Sequence, residues 1–254
     1  MMSNNMEENP YLKQSEWSWT IDEVGLRISL NDIYRRYKKP IIILECGIGV
    51  DENLNENMTV EDDYRIDYFK NHLKEMKKAI EITIRGVKSL MNNAKPGLKE
   101  YELEAYFDFE CKRSGAKDFA FSTIAAAGKN ATILHYVSND SEIKENDLIL
   151  FDLGAQWNLY NADITRTFPA NGKFTDRQRE VYEAVLRVNK AVIEKIKPGV
   201  VYKELNAWSK DLIAEECIKL GIIKEKEEVS KYYWHSIGHN LGLDTHDLEP
   251  QGRE

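Results

Sequence analysis

The chain has 254 residues, of which 42% are hydrophobic, enough to build a core for one large or two small domains. Its formal net charge of −8 leaves no basic footprint, so nucleic acid is excluded as a partner. Three cysteines, Cys46, Cys111 and Cys217, form neither an even set nor a C-x-x-C pair, which argues against a disulfide frame and for reduced thiols in a cytoplasmic protein. The start, MMSNNMEENPY, has no apolar segment behind a charged one, and no apolar run reaches membrane-spanning length, so neither secretion nor a membrane partner is expected.

In chain order, Asp22 is placed to cap a helix carrying Val24, Ile28 and Tyr34. Lys39-Pro40 stops that helix before a buried-strand run, Ile41 to Leu44, which ends at Glu45-Cys46-Gly47. A helix, a break and a strand with an acid at its C-terminal end follow the pattern of a (β/α)8 barrel. The polar stretch from Asn53 to Asp63 reads as a loop. From Tyr64 a helical pattern runs through Phe69, Leu73, Met76, Ile80, Ile84, Val87 and Leu90.

An internal repeat follows. Ala94-Lys95-Pro96-Gly97 recurs as Ile196-Lys197-Pro198-Gly199, with Pro96 and Pro198 separated by 102 residues and each turn flanked by two amphipathic helices. The repeat implies a pseudo-twofold domain with room for a site between its halves. In the first copy the helices lead to strands predicted at Asp118 to Ala126 and at Ile133 to Val137. The apolar run Leu148 to Phe151 then delivers Asp152, and after a turn at Gly154 a second strand-like run brings Asp163 eleven positions later. Pairing of those runs puts both carboxylates on one face. With the His239 imidazole they make a donor set suited to Mn²⁺, Co²⁺ or Zn²⁺. Counted with the same offset, the second copy reaches Glu254 about where the first reaches Asp152, so its final strands are expected to be missing.

An Asp before Leu-Gly usually caps a strand end, and a solitary histidine usually packs as a ring with one satisfied nitrogen. The joint pattern overrides those single-residue readings. DLGA, NADITRTF and HSIGHNLGLDTHD together resemble the pita-bread metallopeptidases, aminopeptidase P, prolidase and methionine aminopeptidase among them, and fit the Pro-cleaving branch best. The resemblance covers about residues 78 to 254 and implies an α+β pita-bread domain, incomplete at its C-terminal side. It implies that Asp152, Asp163 and His239 are metal ligands and that His135 and His246 are catalytic, His135 holding the substrate and His246 the scissile carbonyl. His235, Thr165 and Arg166 become supporting neighbours.

In the family two ions share five side chains. The remaining two are Glu residues in Glu-Pro-Gly and Arg-x-Glu-Asp contexts that do not occur in this sequence. Glu249, before Pro250-Gln251-Gly252, is not a substitute for them. The implied cofactor is a divalent metal, Mn²⁺ foremost, with one ion or none expected here. The implied reaction is hydrolysis of an N-terminal Xaa-Pro bond in a peptide with Pro at the second position. An inactive binding module is the alternative. No oligomeric state follows from the sequence.

Residues 1 to 77 carry a different resemblance. SEWSWTIDEVGLRISLNDIYRRYKKPIIILECGIG and DDYRIDYFKNHLKEMKKAI resemble the C-terminal part of glycoside hydrolase family 1, the 6-phospho-β-glucosidase branch. The family's nucleophile position falls on Glu45, where Cys46 replaces the Asn of Glu-Asn-Gly. A retaining glycosidase needs a second carboxyl group, supplied in that family by an Asn-Glu-Pro motif that this chain lacks. Glu45 is therefore expected to be a strand-end acid without glycosidase activity. The seam between the two pieces is expected at Met76 to Ile80.

Overall fold

The computed structural model describes residues 10–15, 20–22, 25, 29, 36, 55–57 and 62–247. Within the first of these, strands β1 (Lys13–Gln14) and β2 (Thr20–Ile21) pair antiparallel, and Asp22 Oδ1 accepts a hydrogen bond from Gly25 N at 2.7 Å, the capping contact expected from the sequence. The expected strand at Ile41 to Leu44, Glu45 and Glu249 lie outside the described residues.

Helix α1 (Asp63–Asn93) runs unbroken for 31 residues. Its buried positions, Ala79, Ile82, Thr83, Gly86, Val87 and Leu90, recur at three and four, so one stripe faces the core. The chain leaves α1 through Lys95-Pro96-Gly97, with Gly97 at φ +88°, a conformation that costs other residues strain. Helix α2 (Glu100–Arg113) then packs back on α1. A Cβ on Gly86 would stand 2.3 Å from Phe107 Cδ2, so the absent side chain is what lets the fully buried Phe107 ring lie against α1.

Beneath the helices lie two small antiparallel sheets. Strands β4 (Ile124–Ala127), β5 (Leu148–Leu153) and β8 (Ile164–Pro169) form one in the order β4-β5-β8. Strands β3 (Asp118–Phe119), β6 (Ala155–Trp157) and β7 (Tyr160–Asn161) form the other in the order β3-β6-β7. On β5, Ile149, Phe151 and Leu153 are fully buried beneath the helices, while Leu150 and Asp152 alternate to the other face. Thr83 ties α1 to the sheets: its hydroxyl donates to Ala79 O at 2.8 Å and accepts from Ala155 N at 2.9 Å.

Gly154 is the point where the chain changes sheets. A Cβ there would sit 1.7 Å from Ala162 O, so only glycine allows β5 to turn into β6 at that spacing. The run expected to lead straight from Gly154 to Asp163 is instead the β6–β7 hairpin, after which β8 returns along β5. The expected strand at Ile133 to Val137 is a turn: His135 lies at φ +55° and Ile133, Leu134 and Val137 are exposed, with no strand alongside to pair with them.

The second half repeats the first. Helices α3 (Asp176–Lys195) and α4 (Tyr202–Lys219) flank Lys197-Pro198-Gly199, and Gly199 lies at φ +89°. The end of α1 and the end of α3, and the starts of α2 and α4, are each 102 residues apart, as the turns are. Buried positions correspond as well: Ile82, Leu90 and Leu103 match Ala184, Val192 and Leu205. The Gly86 and Phe107 pair becomes Val188 and Ser209, with large and small exchanged, so the two helix crossings are filled from opposite sides. Helix α4 is followed by a 3₁₀ turn (Lys226–Lys231), and Ala214, Ile223 and Val229 form a small second core there.

Candidate active site

The β5–β8 register pairs Asp152 with Thr165, and Asp163 stands one residue before β8. Strand alternation therefore places Asp152, Asp163 and Thr165 on one face, as the spacing implied. Thr165 Oγ1 donates to Asp152 Oδ1 at 2.8 Å. Arg166 pairs with Phe151 on the opposite parity, and its Nη1 donates to Thr165 O at 2.7 Å.

His239 reaches this face from the other half of the chain, with its Nε2 3.1 Å from Asp163 Oδ2. Its Nδ1 lies 2.9 Å from Asn240 O, a carbonyl that can only accept, so Nδ1 carries a proton. Nε2 then faces the Asp163 carboxylate, where a proton or a cation can sit between the two groups. Burial first, then the charge of Asp152 and its hydrogen bond, push the Asp163 carboxyl up to about 6, while His239 pulls it in the other direction. The donors are thus a crowded carboxylate pair and an imidazole nitrogen held in the ligating tautomer, a chemistry that fits one divalent ion. Asp163 joins the other two, and among the described residues no three His, Cys, Asp or Glu side chains already converge as a metal cage.

The His246 ring lies edge-on to His239, with centroids 4.4 Å apart. The 239–247 segment that carries both rings is anchored by residues that motif reading passed over. Buried Asn161, on β7, donates from N to Gly242 O at 2.8 Å and from Nδ2 to Leu243 O at 3.1 Å. Thr245 Oγ1 donates to Ala120 O at 3.2 Å. A Cβ at Gly242 would fall 2.3 Å from Asp247 Oδ2, so a side chain there would displace the Asp247 carboxylate that accepts from Leu243 N. The NAD string held the clue to Asn161, since it directly precedes Ala162-Asp163.

His135 and His235 are exposed, and no hydrogen bond or ring contact joins either to Asp152, Asp163 or His239. The structure therefore brings together Asp152, Asp163, Thr165, His239 and His246.

Two helix–turn–helix copies with a carboxylate pair on the sheet of the first, met by histidines from the second, define an α+β protein of the pita-bread class. Residues 74–254 match Metallopeptidase family M24, and residues 1–95 match Glycosyl hydrolase family 1. The chain is 38% identical over 191 residues to the Xaa-Pro aminopeptidase of Haemophilus influenzae, covering 72% of this chain and 44% of that protein. It is 36% identical over 186 residues to the Xaa-Pro aminopeptidase of Escherichia coli, covering 70% and 42%. Of solved structures, the Pseudomonas aeruginosa aminopeptidase PepP matches with a TM-score of 0.70 and 40% identity over 72% of this chain and 43% of that one. Zinc-substituted E. coli aminopeptidase P in complex with product gives 0.69 and 36%, over 71% and 43%.

The chain belongs to metallopeptidase family M24. It carries the pita-bread fold of aminopeptidase P, its N-terminal residues match Glycosyl hydrolase family 1, and it spans less than half the length of these relatives.

Proposed function

We propose that the site is that of a metal-dependent Xaa-Pro aminopeptidase or dipeptidase, reduced to part of its ligand set. The observation that carries this reading is Asp163, whose carboxylate meets Asp152 on one side and the Nε2 lone pair of His239 on the other. Asp152, Asp163 and His239 would hold one divalent ion, Mn²⁺ foremost. Bound there, the ion would supply Lewis-acid polarisation of a peptide carbonyl and acidify water.

The remaining work falls to the chain's own side chains. Thr165 fixes the Asp152 carboxylate by donating to Oδ1. His246, one ring from His239, donates to the scissile carbonyl oxygen, and His135 binds the peptide with Pro at its second position. His235 supports the pocket wall. The Glu-Pro-Gly and Arg-x-Glu-Asp contexts that carry the family's remaining Glu ligands do not occur within residues 1–254, so no proton-relaying carboxylate is assigned among them.

A second reading, a module that binds peptides without cleaving them, is favoured by the open arrangement in which only Asp163 bridges the other two donors. Calorimetric titration with Mn²⁺ and hydrolysis of an Xaa-Pro peptide, each run beside Asp152→Asn, separate the two. One weak Mn²⁺ site lost in the variant supports the metal reading, and two tight sites would overturn the one-ion assignment. Turnover lost in the variant identifies the enzyme; Mn²⁺ binding without turnover identifies the module.

The two family matches overlap over residues 74–95, nearly all of it within α1 (Asp63–Asn93). The domains are accordingly assigned as 1–77 and 78–254, with the joint inside that helix. The first is assigned no glycosidase activity, for want of a partner acid for Glu45. Among the described residues Cys111 and Cys217 are free, and a cytoplasmic location is assigned on the composition of the sequence.

A further inference from the structure

We propose that the first turn of the second helix in each half is a clamp that positions the segment bearing a site histidine, with Glu100 serving His135 and Tyr202 with Asn206 serving His239. The proposal rests on the peptide-binding role assigned above to His135. Glu100 opens α2 and is fully buried. Among the described residues no cation pairs with it. Its Oε1 accepts from Ala127 N at 2.7 Å and Asn130 Nδ2 at 3.0 Å, and its Oε2 accepts from Tyr136 Oη at 2.8 Å and Ser141 N at 3.0 Å. Four neutral donors and the helix N-terminus satisfy the two oxygens of this buried side chain.

All four donors lie in the 127–141 segment, at both of its ends and on either side of His135. One turn further along α2, Glu104 Oε2 accepts from Asn139 Nδ2 at 2.8 Å, and Asn139 in turn accepts from Ala125 N on β4 at 3.0 Å. His135 and Asn139 both lie at positive φ, +55° and +48°. Non-glycine residues stay in that region only where their surroundings over-determine it. The carboxylate clamp supplies that determination.

The second half places its clamp at the same address. One repeat of 102 residues carries Glu100 to Tyr202 and Glu104 to Asn206. Tyr202 Oη donates to Gly238 O, and Asn206 Oδ1 accepts from Ile237 N at 2.9 Å. Both contacts fall in the segment that ends at His239. The residue types differ and the positions do not, so the device belongs to the repeat rather than to one loop.

Hydrogen–deuterium exchange on the full chain tests this with Glu100→Gln, which keeps the shape and turns one of the two acceptor oxygens, with the two bonds it accepts, into a donor. Glu102→Ala is the control, since Glu102 Oε2 caps the same helix at Lys99 N, 2.7 Å away, without touching the loop. The expected result in Glu100→Gln is exchange faster by about tenfold or more across 128–141, with β5 and β8 unchanged. Glu102→Ala should leave 128–141 as it is. Unchanged exchange in 128–141, or equal acceleration throughout, would overturn the clamp. Tyr202→Phe, at an exposed position, should speed exchange only across 235–242, and no change there removes the second-half clamp.

Ring NMR signals of His135 titrated with the dipeptide Ala-Pro provide a readout that a purely structural role would not move. Weaker binding by about tenfold in Glu100→Gln, with the fold intact, supports positioning. Equal binding in both proteins refutes it. A wild-type His135 ring indifferent to Ala-Pro sinks the peptide-binding role, while the exchange pattern still decides whether the clamp exists.

Discussion

Replacing Asp163 by Asn tests the electrostatics of the site most directly. The Asp163 carboxyl is pushed up to about 6 by burial and by Asp152, against an ordinary value of 3.8. Between about pH 4 and pH 6 the folded chain therefore holds a proton that the unfolded chain has released. Stability falls as pH rises through that window, and the full penalty is present above it. A difference of about two pH units corresponds to roughly 3 kcal/mol for a group cut off from water. Asp163 keeps 20% of its side chain exposed, so screening brings the expected penalty to about 1–2 kcal/mol.

Asn has the same shape and no charge, and its amide can donate toward Asp152 or His239 Nε2. The variant should match wild type near pH 4 and exceed it by that amount at pH 7 in metal-free buffer, read from urea unfolding curves at each pH. Asp108, also pushed up to about 6 by burial and by Glu104, contributes to the same window in both proteins and cancels in the difference. Added Mn²⁺ should stabilise wild type alone. Parallel pH profiles for the two proteins, or a wild-type stability that climbs from pH 4 to 6, would refute the reasoning.

Two further outcomes concern the scaffold. Gly86→Ala should cost about 1–3 kcal/mol from the clash with Phe107, less up to about 1 kcal/mol of helix propensity, and Phe107→Ala about 3–5 kcal/mol. The double variant should be more stable than the sum predicts by at least about 1 kcal/mol, and additivity within about 0.5 kcal/mol in a urea-unfolding cycle would show that the pair is not coupled. Gly154→Ala drives a methyl into backbone Ala162 O and should cost more than about 4 kcal/mol, seen as loss of the cooperative thermal transition by circular dichroism; a melting temperature close to wild type would contradict the turn geometry.

What could be read in the sequence was whatever repeats or alternates. The shared face of Asp152 and Asp163 follows from strand parity, and the helix pairs follow from period and from the Lys-Pro-Gly turns. The β6–β7 hairpin was hidden because its turn, Asn158-Leu159, holds φ of +51° and +70° without a glycine to announce it. The apolar letters from Ile133 to Val137 suggested a strand, yet the segment is shaped by a carboxylate on α2, a contact no local pattern encodes. Glu100 looks in sequence like any acid at a helix start. Its burial depends on where the far end of the loop returns, and that is a tertiary fact.

The unbroken α1 has a consequence for how two unrelated pieces could be joined. On a helix each residue turns the next by about 100°, so a joint must preserve phase as well as reading frame. Ile66 and Leu73 continue, at intervals of seven, the row that holds Ile80 and Val87, and Phe69 lies in the row of Met76, Thr83 and Leu90. The upstream side chains are half exposed, but they are aligned with the face that the downstream turns bury. One residue more or fewer between Leu73 and Ile80 would turn the upstream apolar row by about 100° out of line with the buried face, whereas the length present keeps the two in phase along one helix.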